Sequence, residues 1–437
     1  MENLMDKIVS LAKRRGFIFP SSEIYGGFSS CYDYGPIGVE LKNNIKQQWW
    51  KTMVHDREDI VGLDASILMS PKVWYASGHL SAGFADPMAE CKKCNKRFRA
   101  DHLKEQAITK CPECGGELGE VRKFNLMMKT FVGPLENDSS ITYLRAETCQ
   151  GIYVNFKNVL DTMRPKIPFG IAQIGKAFRN EITPGNFTYR MREFEQMEQQ
   201  FFIRPGENEK YFEEWKKLRM QWYVDLGINP EKLKFHEHAK EDLAHYAKAA
   251  FDIEYDFPFD NKELEGIHDR GDWDLSNHAK SSKQDLSYFD TKLNTKFVPN
   301  IIETSAGADR ACLAFLVDAY HEESVKDQVR VVLKFHPKIA PIKIAVLPLA
   351  KNKTEITDLA RKIFNDLKTK FVSMYDDSGS IGKLYRRQDE IGTPYCVTID
   401  FDSLEDKKVT VRDRDSMEQE RVEIEGLKDY FEKKIGY

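Results

Sequence analysis

Apolar positions divide the chain into regions of different period. The first residues, MENLMDKIVSLAKRRGF, predict a short amphipathic helix. VELKNNIKQQWWKTMV has helical spacing, and DIVGLDASILM then reads as a strand ending at Ser70-Pro71. The block 91–120 breaks the pattern: it is cysteine-bearing, charged and rich in turns. Strand-like runs return from 140 to about 205, and EKYFEEWKKLRMQWYVDLGI spaces Phe, Trp, Leu and Tyr as a helix does. Residues 250–335 read as strand and turn, ending in a helix. His336-Pro337 and Ala340-Pro341 form a seam, because two prolines so close disfavour continuous helix. Beyond it KIAVLPL, EITDLARKIFNDLKTK, FVSMYDD, GKLYRRQDEIG and CVTIDF alternate strand and helix, which predicts a small α/β domain with a largely parallel sheet. No internal repeat or low-complexity tract interrupts this order.

Composition narrows the class. The chain has 437 residues, 41% hydrophobic and 31% charged, enough for a core under a heavily charged surface. No apolar run approaches the roughly 18 residues of a membrane span. The N-terminus carries early acidic residues and no long apolar stretch, so it is not a signal peptide. With a net charge of -4, any nucleic acid must be met by local basic patches. The eight cysteines, four clustered and four scattered, point to a reducing compartment, and the protein is placed in the cytosol.

Two segments carry candidate chemistry. FRNEITPGNFTYRMREFEQME, Phe178 to Glu198, surrounds a Pro-Gly turn with arginines, carboxylates and a ring. If its arms pair as strands, Arg179 and Glu181 share one face, Thr183-Pro184-Gly185-Asn186 makes the turn, and Arg190, Arg192, Phe194, Gln196 and Glu198 share a face on the return. Guanidinium for phosphate, ring for base and carboxylate for an exocyclic amine would make a nucleotide site. The plain alternative is a mixed-charge surface hairpin. In ETSAGADRACLAFLVDAY an apolar, buried-type helix holds Arg310 in its first turn, where it needs a partner, either a ligand or an internal carboxylate. Neither a P-loop nor a G-x-G-x-x-G after a strand is present, so ATP would bind on neither of those units.

FRNE with REFEQME, followed downstream by SAGADR, resembles motifs 2 and 3 of the class II aminoacyl-tRNA synthetases. The helix–strand run ending at Pro71 resembles their motif 1, which forms the dimer interface. YDYGPIGVELKNN, RAETCQGIYVNF, QIGKAFRNEITPGNF, EGIHDRGDWDL and SAGADRACLAFL are together similar to the homodimeric glycyl-tRNA synthetases, over essentially the whole chain from Phe19. The resemblance implies an α+β catalytic domain over 1–336, built on a six-stranded antiparallel sheet. Within it lies a zinc-ribbon-like insertion over 88–122 that carries the four clustered cysteines, and an α/β anticodon-binding domain covers 340–437. It implies a cytoplasmic homodimer, off the membrane, that activates glycine with ATP and passes it to the 3′ end of tRNA(Gly).

The same resemblance assigns residues. Arg179, Glu181 and Arg310 form the catalytic set. Arg179 would hold the α-phosphate and the amino-acid carboxylate, and Glu181 would accept from the adenine amino group. Phe194 would stack under adenine with Arg310 above, a sandwich worth about 1–2 kcal/mol when desolvated. Asn180, Tyr189, Leu264 and Gly307 complete the ATP positions. Arg190 or Arg192 meets the outer phosphates, and Glu303, with Glu263 or Glu265, contacts magnesium or ATP. Glu147, Glu198 and Ser305 occupy the glycine-pocket positions, beside Phe194, Gln196 and Glu303. Rejecting alanine means excluding one methyl group, which a tight pocket does without a second sieve, and no segment is left over for an editing domain. The chain departs from the family at Ala146 and Thr304, where proline is usual, at Cys149, where alanine is usual, and at Gly185, where a basic residue is expected. The lost prolines would loosen the loops around the glycine pocket.

Cys91-Lys-Lys-Cys94 and Cys111-Pro-Glu-Cys114, with residues 95–110 between them, match the spacing of a closed tetrathiolate site, in which Zn2+ is structural. Arg99, inside this insertion, is a candidate contact to the substrate by resemblance, against a solvated arginine. In KKVTVRDRDSMEQ, Thr410, Arg412 and Arg414 share a strand face that could meet RNA, or pair locally with Asp413 and Asp415. Two other readings compete with the first. One is a synthetase of threonyl, prolyl or histidyl type, which RAETCQG and EGIHDRGDWDL disfavour. The other is a non-catalytic synthetase-like protein, which the presence of Arg179, Glu181, Phe194 and Arg310 disfavours.

Overall fold

The computed structural model describes residues 3–80, 84–182, 185–239 and 248–436. Leu4–Arg14 forms the expected amphipathic helix, with the Asn3 side chain accepting from the Asp6 N–H and basic residues in its last turn. After Gly35 the chain enters α1 (Pro36–Trp50), whose proline sits in the first turn, where its missing N–H costs nothing. The strand expected over DIVGLDASILM contracts to β1 (Ile60–Gly62).

The central sheet is built from β1, β2 (Phe169–Phe178), β3 (Glu193–Ile203), β4 (Leu233–Glu237), β5 (Ala249–Phe257), β6 (Asp260–Gly271) and β7 (Asn300–Gly307). Its order is β4-β5-β6-β7-β3-β2-β1, seven strands among the described residues. Only β1 runs parallel to its neighbour, so the expected antiparallel sheet is present and gains an edge strand from the motif 1 region.

The register divides the sheet into two faces. Met197, Phe201, Ile267, Ile302 and Ala306 point into an apolar core with α1, α3 (Asn208–Asp225) and α4 (Ala308–Ala319). On the other face Glu198 pairs with Ser305, Gln200 with Glu303, and His268 with Glu303 from the opposite neighbour, so polar side chains of three strands stand side by side. α2 (Cys149–Met163) and the helix Trp273–Ser282 cover the far end of this polar face with a second core around Phe156, Phe169, Phe202 and Leu275. A polar floor framed by apolar walls is thus written into the alternation QMEQQF.

Two expectations change past β7. The region before the seam does not end in a helix: α4 runs straight into the hairpin β8 (Tyr320–Val325) and β9 (Gln328–Leu333). The C-terminal sheet is mixed. β11 (Ser373–Tyr375), β10 (Ile344–Pro348) and β12 (Tyr395–Ile399) are parallel, joined by α5 (Thr354–Leu367) and α6 (Ile381–Ile391), and β13 (Lys408–Asp413) and β14 (Gln419–Glu423) add antiparallel.

Arg412 and Arg414 are not an RNA-facing pair. Arg412 is buried and binds the Asp389 carboxylate at 2.9 Å, and Arg414 is buried against the carbonyls of Gly392 and Phe335, with Asp415 at 2.8 Å. Arg330 of β9 reaches the same Asp389 at 2.8 Å and Glu323 at 2.6 Å. A buried cluster of opposite charges therefore joins the hairpin after α4 to α6.

Candidate active site

The segment between β2 and β3 is not a regular hairpin. β2 ends at Phe178 and β3 begins at Glu193, and between them lie a single bridge, Gly185 to Arg190, and a 3-10 turn over Phe187–Tyr189. Thr183 and Pro184 of the expected turn lie outside the described residues. The shared face expected for Arg190 and Arg192 is lost with the strand. Arg190 lines the cleft over the polar floor, whereas Arg192 turns away and donates to the carbonyls of Ser29 at 2.9 Å and Glu181 at 3.4 Å.

Arg179, Glu181, Tyr189, Arg190, Phe194, Gln196, Glu263, Ser305, Gly307 and Arg310 all border one cleft. Arg179 donates to the Ala146 carbonyl at 3.1 Å, and its guanidinium carbon lies 5.4 Å from the Phe194 ring centre and 5.5 Å from that of Phe84. Arg310, at the start of α4, lies over Tyr189 at 4.5 Å and pairs with Glu263 at 2.9 Å. Both readings of Arg310 thus meet: it has an internal carboxylate, and the pair opens on the cleft. Burial opposes its charge, yet Glu263 and Tyr189 hold its pKa above the usual arginine value. Leu264, expected at the nucleotide, turns its side chain into the apolar core, and Asn180 is fastened by its N–H to the Leu126 carbonyl at 2.8 Å. Arg99 does not border the cleft. It pairs with Asp86 at 2.8 Å and Asp101 at 2.6 Å, within electrostatic reach of Glu181.

Behind Gln196 and Ser305, which line the cleft, lies an acidic cluster. Glu147, Glu198 and Glu303 are all buried. Gln196 accepts from the Thr148 N–H at 3.1 Å and donates to Ser305 Oγ at 3.2 Å, which sets the hydroxyl beside the glutamates. Glu198 accepts from Thr148 Oγ1 and from Gln200 at 3.2 Å. Burial, with Glu303 and Glu147 nearby, pushes the Glu198 carboxyl well above the ordinary carboxylate range. Glu303 moves the other way: against the penalty of burial, Arg270 and His268 hold it down to about 2. Glu147 is also held low, because His79, Arg270 and the Cys149 thiol outweigh its burial. The lost prolines have not opened this region. Thr304 is laddered on both sides, and Ala146 and Cys149 are fully buried. Gly175 beneath is required by close approach, since a Cβ there would meet Arg145 Nη2 at 2.1 Å.

The magnesium contact expected at Glu303 does not fit. Its oxygens are committed to Arg270 at 2.9 Å, His268 at 2.8 Å and Gln200 at 2.8 Å. It also clusters with Cys149 and Glu198, and a thiol suits no hard cation. Glu265 is excluded as well, being buried on the opposite face against Arg219 at 2.7 Å. Glu263, half-exposed at the cleft edge, is the carboxylate that remains.

In the insertion, Ala85–Glu90, Arg97–Arg99 and Arg122–Asn125 form a small sheet that presents the cysteines. All four Sγ atoms lie within 4.8 Å of one another, with Cys91 to Cys114 at 3.5 Å and Cys94 to Cys111 at 3.7 Å. A tetrahedral thiolate site with metal–sulfur bonds of about 2.3 Å needs sulfurs about 3.8 Å apart. The Lys93 and Cys94 N–H groups point at Cys91 Sγ, as donors to a thiolate would.

Residues 134–339 match the family described as "tRNA synthetase class II core domain (G, H, P, S and T)", and residues 343–434 match "Anticodon binding domain". The chain is 57% identical over 426 residues to a glycine–tRNA ligase of Treponema denticola, covering 96% of this chain and 94% of that one. It is 55% identical over 465 residues to a glycine–tRNA ligase of Acetivibrio thermocellus, covering 100% of each. The chain belongs to the glycine–tRNA ligase family. Its central sheet and polar floor are the family's class II core, and its C-terminal part is the anticodon-binding fold matched over 343–434.

Within this family frame, Gln200, His268, Arg270, Thr148 and His79 were not singled out from the sequence, yet they carry the glutamates. EGIHDRGDWDL marked the neighbourhood of His268 and Arg270 without giving them roles. His79 had no local signal, since only the fold brings it to Glu147. Among the described residues no helix is long and apolar enough to cross a membrane.

Proposed function

We infer that the chain is an ATP-dependent ligase that joins glycine to tRNA(Gly). The observation that carries this is a guanidinium-lined cleft that ends at Ser305, directly beside a cluster of three buried glutamates. The first suits a nucleotide triphosphate, and the second suits a small ammonium group with no room for a side chain. The glycine carboxylate attacks the α-phosphorus, the bond to pyrophosphate breaks, and glycyl-adenylate forms. The terminal ribose hydroxyl of the tRNA then attacks the adenylate carbonyl, and AMP leaves.

Arg179 is assigned to the α-phosphate and the glycine carboxylate, and Arg190 to the outer phosphates. Phe194 is assigned to one adenine face and Arg310 to the other. Glu147, Glu198 and Ser305 are assigned to the ammonium. No side chain acts as nucleophile; catalysis is positioning and charge neutralisation. Glu263, through the oxygen not paired with Arg310, would hold a magnesium ion brought by ATP, and the ion would supply charge neutralisation at the phosphates. Zinc is assigned to Cys91, Cys94, Cys111 and Cys114 as a closed structural site. The unit over 1–336, with its insertion at 88–122, is read as catalytic, and 340–437 as reading the anticodon.

A second copy is assigned to the outer face of α1. A groove of about 600 Å³ lined by Asn43, Gln47, Trp50, Lys51 and Ile174 supports this, as does the motif 1 resemblance. All eight cysteines are free, which supports a cytoplasmic setting. ATP–pyrophosphate exchange across the twenty amino acids, without tRNA, tests the central reading. Exchange with glycine alone is expected, and exchange driven by another amino acid would overturn the pocket assignment. Zinc analysis of freshly purified protein, expected at one per chain, tests the tetrathiolate.

A further inference from the structure

We propose that His79 is a positioning residue for amino-acid activation, locking the Glu147 carboxylate by one oxygen so that the other is kept for the substrate ammonium. This rests on the reading of Glu147 as an ammonium anchor.

His79 follows the helix Pro71–Ala76 and lies behind Glu147. Its ring is held on three sides. Trp74 meets it edge-on at 5.3 Å between centroids, Phe84 lies at 4.6 Å, and Ser77 Oγ is 2.8 Å from Nδ1. Nε2 lies 3.3 Å from Glu147 Oε1, a carboxylate oxygen that only accepts, so Nε2 carries a proton toward it while Nδ1 faces the Ser77 hydroxyl. Cys149 Sγ at 2.9 Å and Gln150 Nε2 at 3.0 Å donate to that same oxygen. Three donors thus converge on Oε1, and among the described residues no hydrogen bond reaches Oε2. A carboxylate gripped from three directions at one oxygen cannot turn, so its free oxygen is preorganised. Phe84 extends the effect. The ring that backs His79 also backs Arg179, 5.5 Å from its guanidinium, and Arg179 is assigned to the glycine carboxylate. The two ends of one amino acid are therefore set by groups resting on the same ring.

The alternative, an imidazole that only fills space, makes a different prediction. His79→Leu keeps the bulk and loses the donor; His79→Gln keeps an N–H donor. In ATP–pyrophosphate exchange, His79→Leu is expected to raise the KM for glycine at least tenfold while the KM for ATP stays within threefold, and His79→Gln to recover most of the loss. An unchanged glycine KM in His79→Leu, or an equal rise for ATP, overturns the proposal. So does His79→Gln behaving as His79→Leu when both melt with the parent. Should either melt early, Ser77→Ala decides: it removes only the hydroxyl that holds Nδ1 and so fixes the ring. A rise in glycine KM of threefold or more is expected there, and no rise overturns the proposal. Glu147→Gln separates the two levels. If it leaves the glycine KM unchanged, the fault lies in the ammonium reading and not in the role of His79 alone.

Discussion

The two ends of the cleft use the same strands and opposite strategies. At the end proposed for the nucleotide the cations are partly exposed and rest on rings and a carboxylate: Arg179 on Phe84 and Phe194, Arg310 on Tyr189 and Glu263. At the amino-acid end the charges are buried, and each glutamate is engaged by named donors. The difference follows from the ligands. ATP brings several negative charges, which exposed guanidinium groups can meet as it arrives. Glycine would bring one ammonium and no side chain, so the pocket must hold carboxylate charge away from water before the ligand comes, with Arg270 balancing Glu303 and burial favouring the proton on Glu198. Such charge is costly unless fixed donors share it. The nucleotide end therefore gives up little stability for its function, and the amino-acid end gives up much.

That contrast breaks most sharply at Arg270. It pairs with Asp274 at 2.7 Å and Glu303 at 2.9 Å, all three buried, so Arg270→Met should lower stability by about 3–5 kcal/mol, read by urea unfolding. Arg179→Ala should do the reverse. Exchange should fall by about 10²–10³-fold in kcat, with the melting temperature unchanged. Glu198→Gln tests the stored charge. A folded pKa above the unfolded value means that the native state holds the extra proton, so this stabilisation is full below the ordinary carboxylate pKa and is lost as pH rises through the raised one. The free protein should lose stability over that rise, the Gln variant should not, and its glycine affinity should fall by roughly tenfold or more, measured by calorimetry. The smallest contrast lies within the nucleotide end itself: Arg190→Ala should raise the KM for ATP by about tenfold, and Arg192→Ala by no more than about threefold.

What the sequence could reveal follows the same division. At the end proposed for the nucleotide, Arg179, Glu181 and Phe194 were legible because they lie close in sequence, and Arg310 because it is a charge in an apolar helix. Arg179, Glu181, Phe194 and Arg310 meet as expected. The choice between Arg190 and Arg192 was not legible, because period two holds only on a strand, and the chain there leaves the ladder for a 3-10 turn. The amino-acid end was half legible. Glu147 and Glu198 were named, but their donors come from Thr148, α2, β3 and the segment after Pro71–Ala76, and no local pattern announces such a meeting. Glu303 was misread for a related reason: a glutamate beside a synthetase motif looks like a metal ligand until Arg270 is seen to hold it. The cysteine spacing was legible because four thiols at fixed intervals have few other uses. Arg412 and Arg414 misled because alternation identifies a face and does not say what covers it.

The cluster of Arg330, Asp389 and Arg412 has a bearing on how such chains are assembled. The proline seam looks like a natural place to exchange one C-terminal unit for another. Yet Arg330 belongs to the first unit and Asp389 to the second, and both are out of water. A chimera joined at the seam would leave the buried Arg330 with Glu323 as its one carboxylate unless the incoming piece brought an acid to the place of Asp389. Interchange between these halves is therefore constrained by a matched, buried charge across the seam.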